Sequence, residues 1–340
     1  MLEFTAEQHR RYFAEFCLGV QAAGGTTPHM LMAVEAASRV GSDERQKLWR
    51  LGCYAFVYNF ASAEVLWQEF APDHVTESEV AAWALAHWKG IRFRKERKAA
   101  RSPERLGDCM ATYAAWSRGV GEAPWFRHPE RYATGAERYE AAFEDFCAGN
   151  RYMGRYIGIR WLEALSRTYG LDLHMPDIRP RDGPHPRKAL ALMYPELRDV
   201  LNGGDSDDEC AVVNRTAETL HEEMKAAYGG LDVDPYTMQS LLCEYKQSVL
   251  AQKQYPGKSV DSEMKYRTAI EDFWGATRPT IMWDVRRAIF PAFVLGEVSG
   301  WTGARDELGG VLCEYGYTWS DAVYDYRATR TLGEPALRGA

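Results

Sequence analysis

Helix-start signals recur along this chain so often that little room is left for a sheet. Thr5 with Gln8 and Thr76 with Glu79 are capping boxes, in which each side chain satisfies a backbone N–H at the other's position. Thr27-Pro28, Ser102-Pro103 and Asp234-Pro235 each set a capping residue before a proline at the first helical position, where the missing N–H costs nothing. Between these points apolar residues recur at helical spacing. A helix beginning near Ser42 carries Leu48, Leu51, Cys53, Tyr54, Val57, Tyr58 and Ala61, and its apolar face is broad enough to make it central. No strand-rich block and no internal repeat is found. The fold is predicted to be mainly α.

Further helices are predicted from Ser102-Pro103 to Gly119, over Gly135 to Ala148, Lys188 to Leu201 and Thr216 to Tyr228, and around Glu263 to Trp274 and Thr280 to Phe290. Asn202 to Asp208 reads as an acidic, flexible loop without the ligand alternation of a calcium-binding loop. Met175 to Arg187 holds four prolines and reads as a loop or linker. Two regions are predicted, 1–187 and 188–340, with little periodicity beyond Gly300.

One stretch carries chemistry of its own. Gly149 to Gly158 is a glycine-punctuated turn between two helical patterns, with Arg151 and Arg155 on one face of the second helix's start. Unsatisfied N–H groups and the helix dipole make such a start a phosphate site. Equally, Gly154 and Gly158 could serve close helix packing, and the arginines could be solvated.

The second feature is Lys89 to Arg101, which includes Arg92, Arg94, Arg97 and Arg101 and is the most basic segment of a chain whose formal net charge is -7. Positive charge focused in an acidic protein suits a phosphate backbone, although many basic runs are only solvated helix faces. Hydrophobic residues make up 46% and aromatics 13% of the chain, enough for a large core and for surfaces that stack on planar ligands. The seven scattered cysteines read as reduced thiols. No signal or membrane-spanning run is apparent, so a cytoplasmic location is expected, the host's cytoplasm if the chain is encoded by a phage. No zinc-ligand spacing, P-loop or Gly-x-Ser-x-Gly motif is present, and no metal site is predicted.

The turn resembles the helix-hairpin-helix element of DNA glycosylases. In that comparison Met153-Gly154-Arg155 ends the hairpin, and Asp172 in Leu171-Asp172-Leu173-His174 is the acid that faces an extruded base. Tyr156 falls where lyase-type relatives carry a lysine, and no four-cysteine cluster spacing exists, so lyase chemistry is not expected.

A wider set of residues resembles the amino acid:DNA transferase family of bacteriophages. It comprises Tyr54-x-x-x-Tyr58-Asn59-x-x-Ser62-x-Glu64, His87-Trp88-x-Gly90-Ile91-x-x-Arg94, Gly154-Arg155-Tyr156, Leu242-Cys243-Glu244-Tyr245-Lys246, Tyr255-Pro256-Gly257 and Asp261. The resemblance implies a glycosylase-like helical fold with added C-terminal helices. It also implies that the amine of an amino acid, glycine being the simplest, displaces phosphate or pyrophosphate from modified 5-hydroxymethyluracil in double-stranded DNA. A kinase would supply that ester.

Such an enzyme needs a backbone grip, an aromatic slot, cations for the leaving group and a proton acceptor. Arg92, Arg94, Arg97, Arg101, Arg151, Gly154 and Arg155 are candidates for DNA and phosphate. Tyr58, Asn59, Glu64, Trp88, Tyr156, Tyr245 and Asp261 are candidates for the pocket. Asp172, then Glu244, are candidates for the base, with His174 and Lys246 assisting. No cofactor beyond the amino acid is expected, and whether a divalent metal takes part is left open. A base-excising glycosylase and a non-catalytic DNA-binding subunit remain alternatives, to be separated by whether the base is lost or substituted.

Overall fold

The computed structural model describes residues 5–22, 28–93, 100–150, 152–182, 185–251 and 273–274. Among these residues there is no strand, and the fold is all-α as predicted. The helices are α1 (Ala6–Ala22), α2 (Pro28–Ser38), α3 (Glu44–Val57), α4 (Phe60–Glu69), α5 (Glu77–His87), α6 (Pro103–Val120), α7 (Pro124–Arg127), α8 (Gly135–Gly149), α9 (Arg155–Tyr169), α10 (His185–Met193), α11 (Arg198–Leu201), α12 (Asp207–Ala227) and α13 (Pro235–Ala251). The predicted elements around 254–261, most of 263–274, 280–290 and the tail lie outside the described residues.

The chain forms two compact units, divided near Pro176 rather than at 187. One contains α2 to α9 together with Phe273 and Trp274; the other contains α10 to α13 and recruits α1. The recruitment has a plain cause. Phe13 and Cys17 of α1 are buried among Leu190 and Met193 of α10, Leu220 of α12 and Leu241 of α13, so the first helix completes a core made by the last ones.

Two helix starts differ from the sequence reading. The broad apolar helix does not run on to Ala61. Tyr58 adopts a left-handed conformation (φ 50°) that ends α3, and Asn59 caps α4 by accepting from the N–H of Ser62 at 2.9 Å. The acidic loop is shorter than predicted. Ser206 and Glu209 form a full capping box, so Asp207 and Asp208 occupy the first turn of α12, where a helix dipole favours negative charge.

Candidate nucleic-acid interface

Helices α8 and α9 are joined by the short turn at 150–154. Thr134 caps α8, and at the far end Asn150 donates from Nδ2 to the carbonyl of Phe146. The bend falls on Tyr152, at φ 57°, not on a glycine. Gly154, the N-cap of α9, has an ordinary φ of −62°, and a Cβ there would meet nothing within 4 Å. Neither backbone nor packing requires a glycine at this point, which leaves the start of α9 open to an approaching group. Gly158 is different: a Cβ would press on Phe143 and Phe146, so it serves helix packing. Arg155 lies back along α8, 3.4 Å from Glu144 and over the Phe143 ring. Arg105 of α6 sits over the Tyr152 ring at 5.6 Å and ties the hairpin tip to the start of α6.

Antiparallel packing gathers several helix ends beside that tip. Tyr113 of α6 donates to the carbonyl of Leu48, and Arg45 donates to that of Ala114, so the end of α3 meets the start of α6. Tyr169 donates to the carbonyl of Glu44 and its ring lies under Lys47, which sets the start of α9 at the same end. Gly107 packs on Glu77 and Ala81 while Arg118 reaches Asp73, so the end of α5 is there too. One end of this unit therefore holds the Tyr58–Asn59 break, Trp88, Arg92, Arg101, Gly154, Arg155 and Tyr156.

The groups at that end are fixed from below. Ser62 is buried and its Oγ accepts from the N–H of Arg92 at 2.8 Å, which anchors the first residues of the basic segment. Glu64, one turn into α4, is fully buried and accepts from Gln68 at 3.0 Å. Burial depresses Arg50 below the usual guanidinium value while the charge of Glu64 opposes that shift. Tyr58 is buried against Tyr54, with ring centroids 5.3 Å apart. Tyr156, half-buried, lies under the Arg160 guanidinium, which is itself buried and paired with Glu163 at 2.8 Å.

Asp172 and His174 come together, but elsewhere. His174 Nε2 is 2.8 Å from Asp172 Oδ1, and the two are 75% and 67% exposed. The His174 N–H donates to the carbonyl of Gly135, at the start of α8. The whole of α9, 15 residues and therefore about 22 Å at 1.5 Å per residue, separates the pair from the hairpin tip. Asp172 thus stands one helix beyond the hairpin, at the opposite end of α9 from its tip.

Tyr245 belongs to the core of the other unit. It is fully buried on Phe13, and its hydroxyl is engaged with His9, so it cannot stack on a base. Lys246 is half-buried on the same helix, and the side chain of Glu244 is not among those described. Arg94, Arg97, Arg151 and Asp261 also lie outside the described residues. Among the described residues no group of three His, Cys, Asp or Glu is placed to hold a metal, and no helix is long and apolar enough to cross a membrane. The six described cysteines form no disulfide with one another, and burial pushes the thiols of Cys17, Cys53 and Cys109 up, the last to about 12.

An all-α protein with helix starts and arginines collected at one end of a unit has the features of one that handles a polyanion. The Amino acid:DNA transferase family model matches residues 42–254, from the start of α3 through α13, and the chain belongs to that family. Its members are transferases for which DNA and an amino acid are the implied substrates. No curated protein and no solved structure matches the chain.

Proposed function

We propose that this protein attaches an amino acid, glycine in the simplest case, through its amine to the exocyclic methylene of phosphorylated or pyrophosphorylated 5-hydroxymethyluracil in DNA. The observation that carries this reading is the family match together with the helix ends around Arg92, Arg101, Gly154 and Arg155. In the reaction a C–N bond forms at the methylene as its C–O bond breaks. The electron pair leaves with phosphate or pyrophosphate, and the amine loses a proton.

In this reading Arg92, Arg101 and Arg155 hold the DNA backbone and the leaving group, and the open N-terminus of α9 adds a fixed dipole. Trp88 and Tyr156 offer flat surfaces to the base. Glu64 is the buried carboxylate at that end, and we assign it the proton of the attacking amine; Asp172 and His174 lie a helix length away. A DNA kinase acting on 5-hydroxymethyluracil would make the ester consumed here.

The test is incubation with duplexes containing 5-hydroxymethyluracil, its phosphate or its pyrophosphate, with and without glycine, followed by digestion and nucleoside mass. A nucleoside that has gained glycine and lost the ester supports the reading. Release of a free base with an abasic site, irrespective of glycine, overturns it in favour of a glycosylase.

A further inference from the structure

Helices α3 and α4 pack together after the break at Tyr58, and Arg50 of α3 meets Trp67 of α4 across their interface. The guanidinium lies over the indole, 5.3 Å from its centre. Glu64 stands three residues before Trp67, one turn along the same helix face, and is fully buried. Its charge acts on Arg50.

The Arg50 guanidinium is held in place without being satisfied. Nη1 donates to the carbonyl of Ala36 at 2.8 Å, whereas Nε is closed off from solvent and meets no acceptor among the described residues. A charged donor buried in this way is costly to leave unmatched, and neither the Ala36 bond nor the Trp67 contact uses it. The edge that carries Nε is one with which a guanidinium takes a carboxylate through two parallel N–H···O bonds. The reading above places an attacking amine at Glu64. A free α-amino acid carries its amine and its carboxylate on one carbon, so its two charged ends match the carboxylate of Glu64 and the guanidinium beside it.

We propose that Arg50 binds the carboxylate of the amino acid co-substrate through its Nε edge while Glu64 receives the proton of the amine. This rests on the transferase reading and on the role given there to Glu64. It narrows the substrate class to α-amino acids with a free carboxylate, and excludes simple amines.

The full-length chain is given a duplex carrying the ester of 5-hydroxymethyluracil, with either glycine or glycinamide at equal concentrations of unprotonated amine, and transfer is followed by nucleoside mass. The wild type is expected to prefer glycine by roughly 10- to 150-fold in kcat/KM, the worth of a hydrogen bond to a charged group. Arg50→Met should use the two amines alike, its loss on glycine falling on KM rather than on kcat. Arg50→Lys, which keeps the charge without the fork, should lie between the two. Equal use of both amines by the wild type overturns the proposal and leaves the transferase reading standing, with no variant required to fold. A preference for glycine that survives in Arg50→Met also overturns it, as does a fall in kcat at unchanged KM, which would mark Arg50 as a packing residue of α3 and α4. Should Arg50→Met fail to fold, a wild-type KM for glycine in Arg50→Lys is the overturning result. If the wild type attaches neither amine, the transferase reading fails and takes the proposal with it.

Discussion

Tyr245 donates its phenolic hydrogen to the carbonyl of His9, 3.1 Å away, while His9 Nδ1 lies 3.0 Å from the same hydroxyl oxygen. With that hydrogen committed, the imidazole bonds the hydroxyl as a donor, in its neutral Nδ1–H form. Burial supports the neutral form, pushing His9 down from 6.5 to about 4. The unfolded chain therefore binds a proton that the folded one refuses between these values. This contribution to stability is complete above about pH 6.5 and is lost as the pH falls toward 4, reaching about 3 kcal/mol at 1.36 kcal/mol per pK unit. Urea denaturation across pH 4 to 7.5 should show that slope, and His9→Gln should remove it.

Gly52 faces the ring of Tyr113, whose hydroxyl donates to Leu48 and accepts from the indole of Trp161. A methyl group there overlaps the ring, and both hydrogen bonds keep the ring from turning away. Gly52→Ala should cost about 1–3 kcal/mol, read from the midpoint of chemical denaturation. A neutral outcome would mean that α3 and α6 have slack between them.

Arg160 and Glu163 are a buried ion pair in α9, and Arg167 also reaches Glu163 at 3.6 Å. Removing one partner of such a pair strands a charge. Arg160→Met should destabilise by about 3–5 kcal/mol, while the double replacement Arg160→Met with Glu163→Leu should recover most of that loss. A thermal-melt double-mutant cycle checks it. Additive losses would show that the two charges are not coupled.

If Glu64 takes the proton of the amine, Glu64→Gln should lower single-turnover transfer by roughly 10²- to 10⁴-fold, the usual worth of a positioned acid or base. Asp172→Asn should stay within about threefold of the wild type. The reverse ranking would return the chemistry to the Asp172–His174 pair. Circular dichroism of each variant separates a lost proton acceptor from a lost fold.

What the residues disclosed, and what they hid, follows from the range of the interactions concerned. Caps are local, so Thr5 with Gln8, Thr76 with Glu79 and Ser102-Pro103 placed helix starts correctly. Two such signals were present but masked by their neighbours: Asn59 lies inside an apolar run, and Ser206 with Glu209 lies inside an acidic one. Location within the fold is not local. Asp172 follows the hairpin by one helix, yet that spacing does not say that it pairs with His174 on the surface beside the start of α8. Tyr245 sits in a motif and still faces a core, because α1 closes over it from more than two hundred residues away. Phe273 and Trp274 gave no signal at all, since their meaning lies in Gly90 and His87.

The hydrogen bond from the N–H of Arg92 to buried Ser62 joins the start of the basic segment to the packing of α4. A polyanion held by that segment would bear on the packing of α4 through this bond, and its occupancy would then be read in the melting temperature. Heparin or mismatched DNA, neither of them a substrate, should therefore raise the thermal midpoint of the intact chain, and added salt should erase the gain.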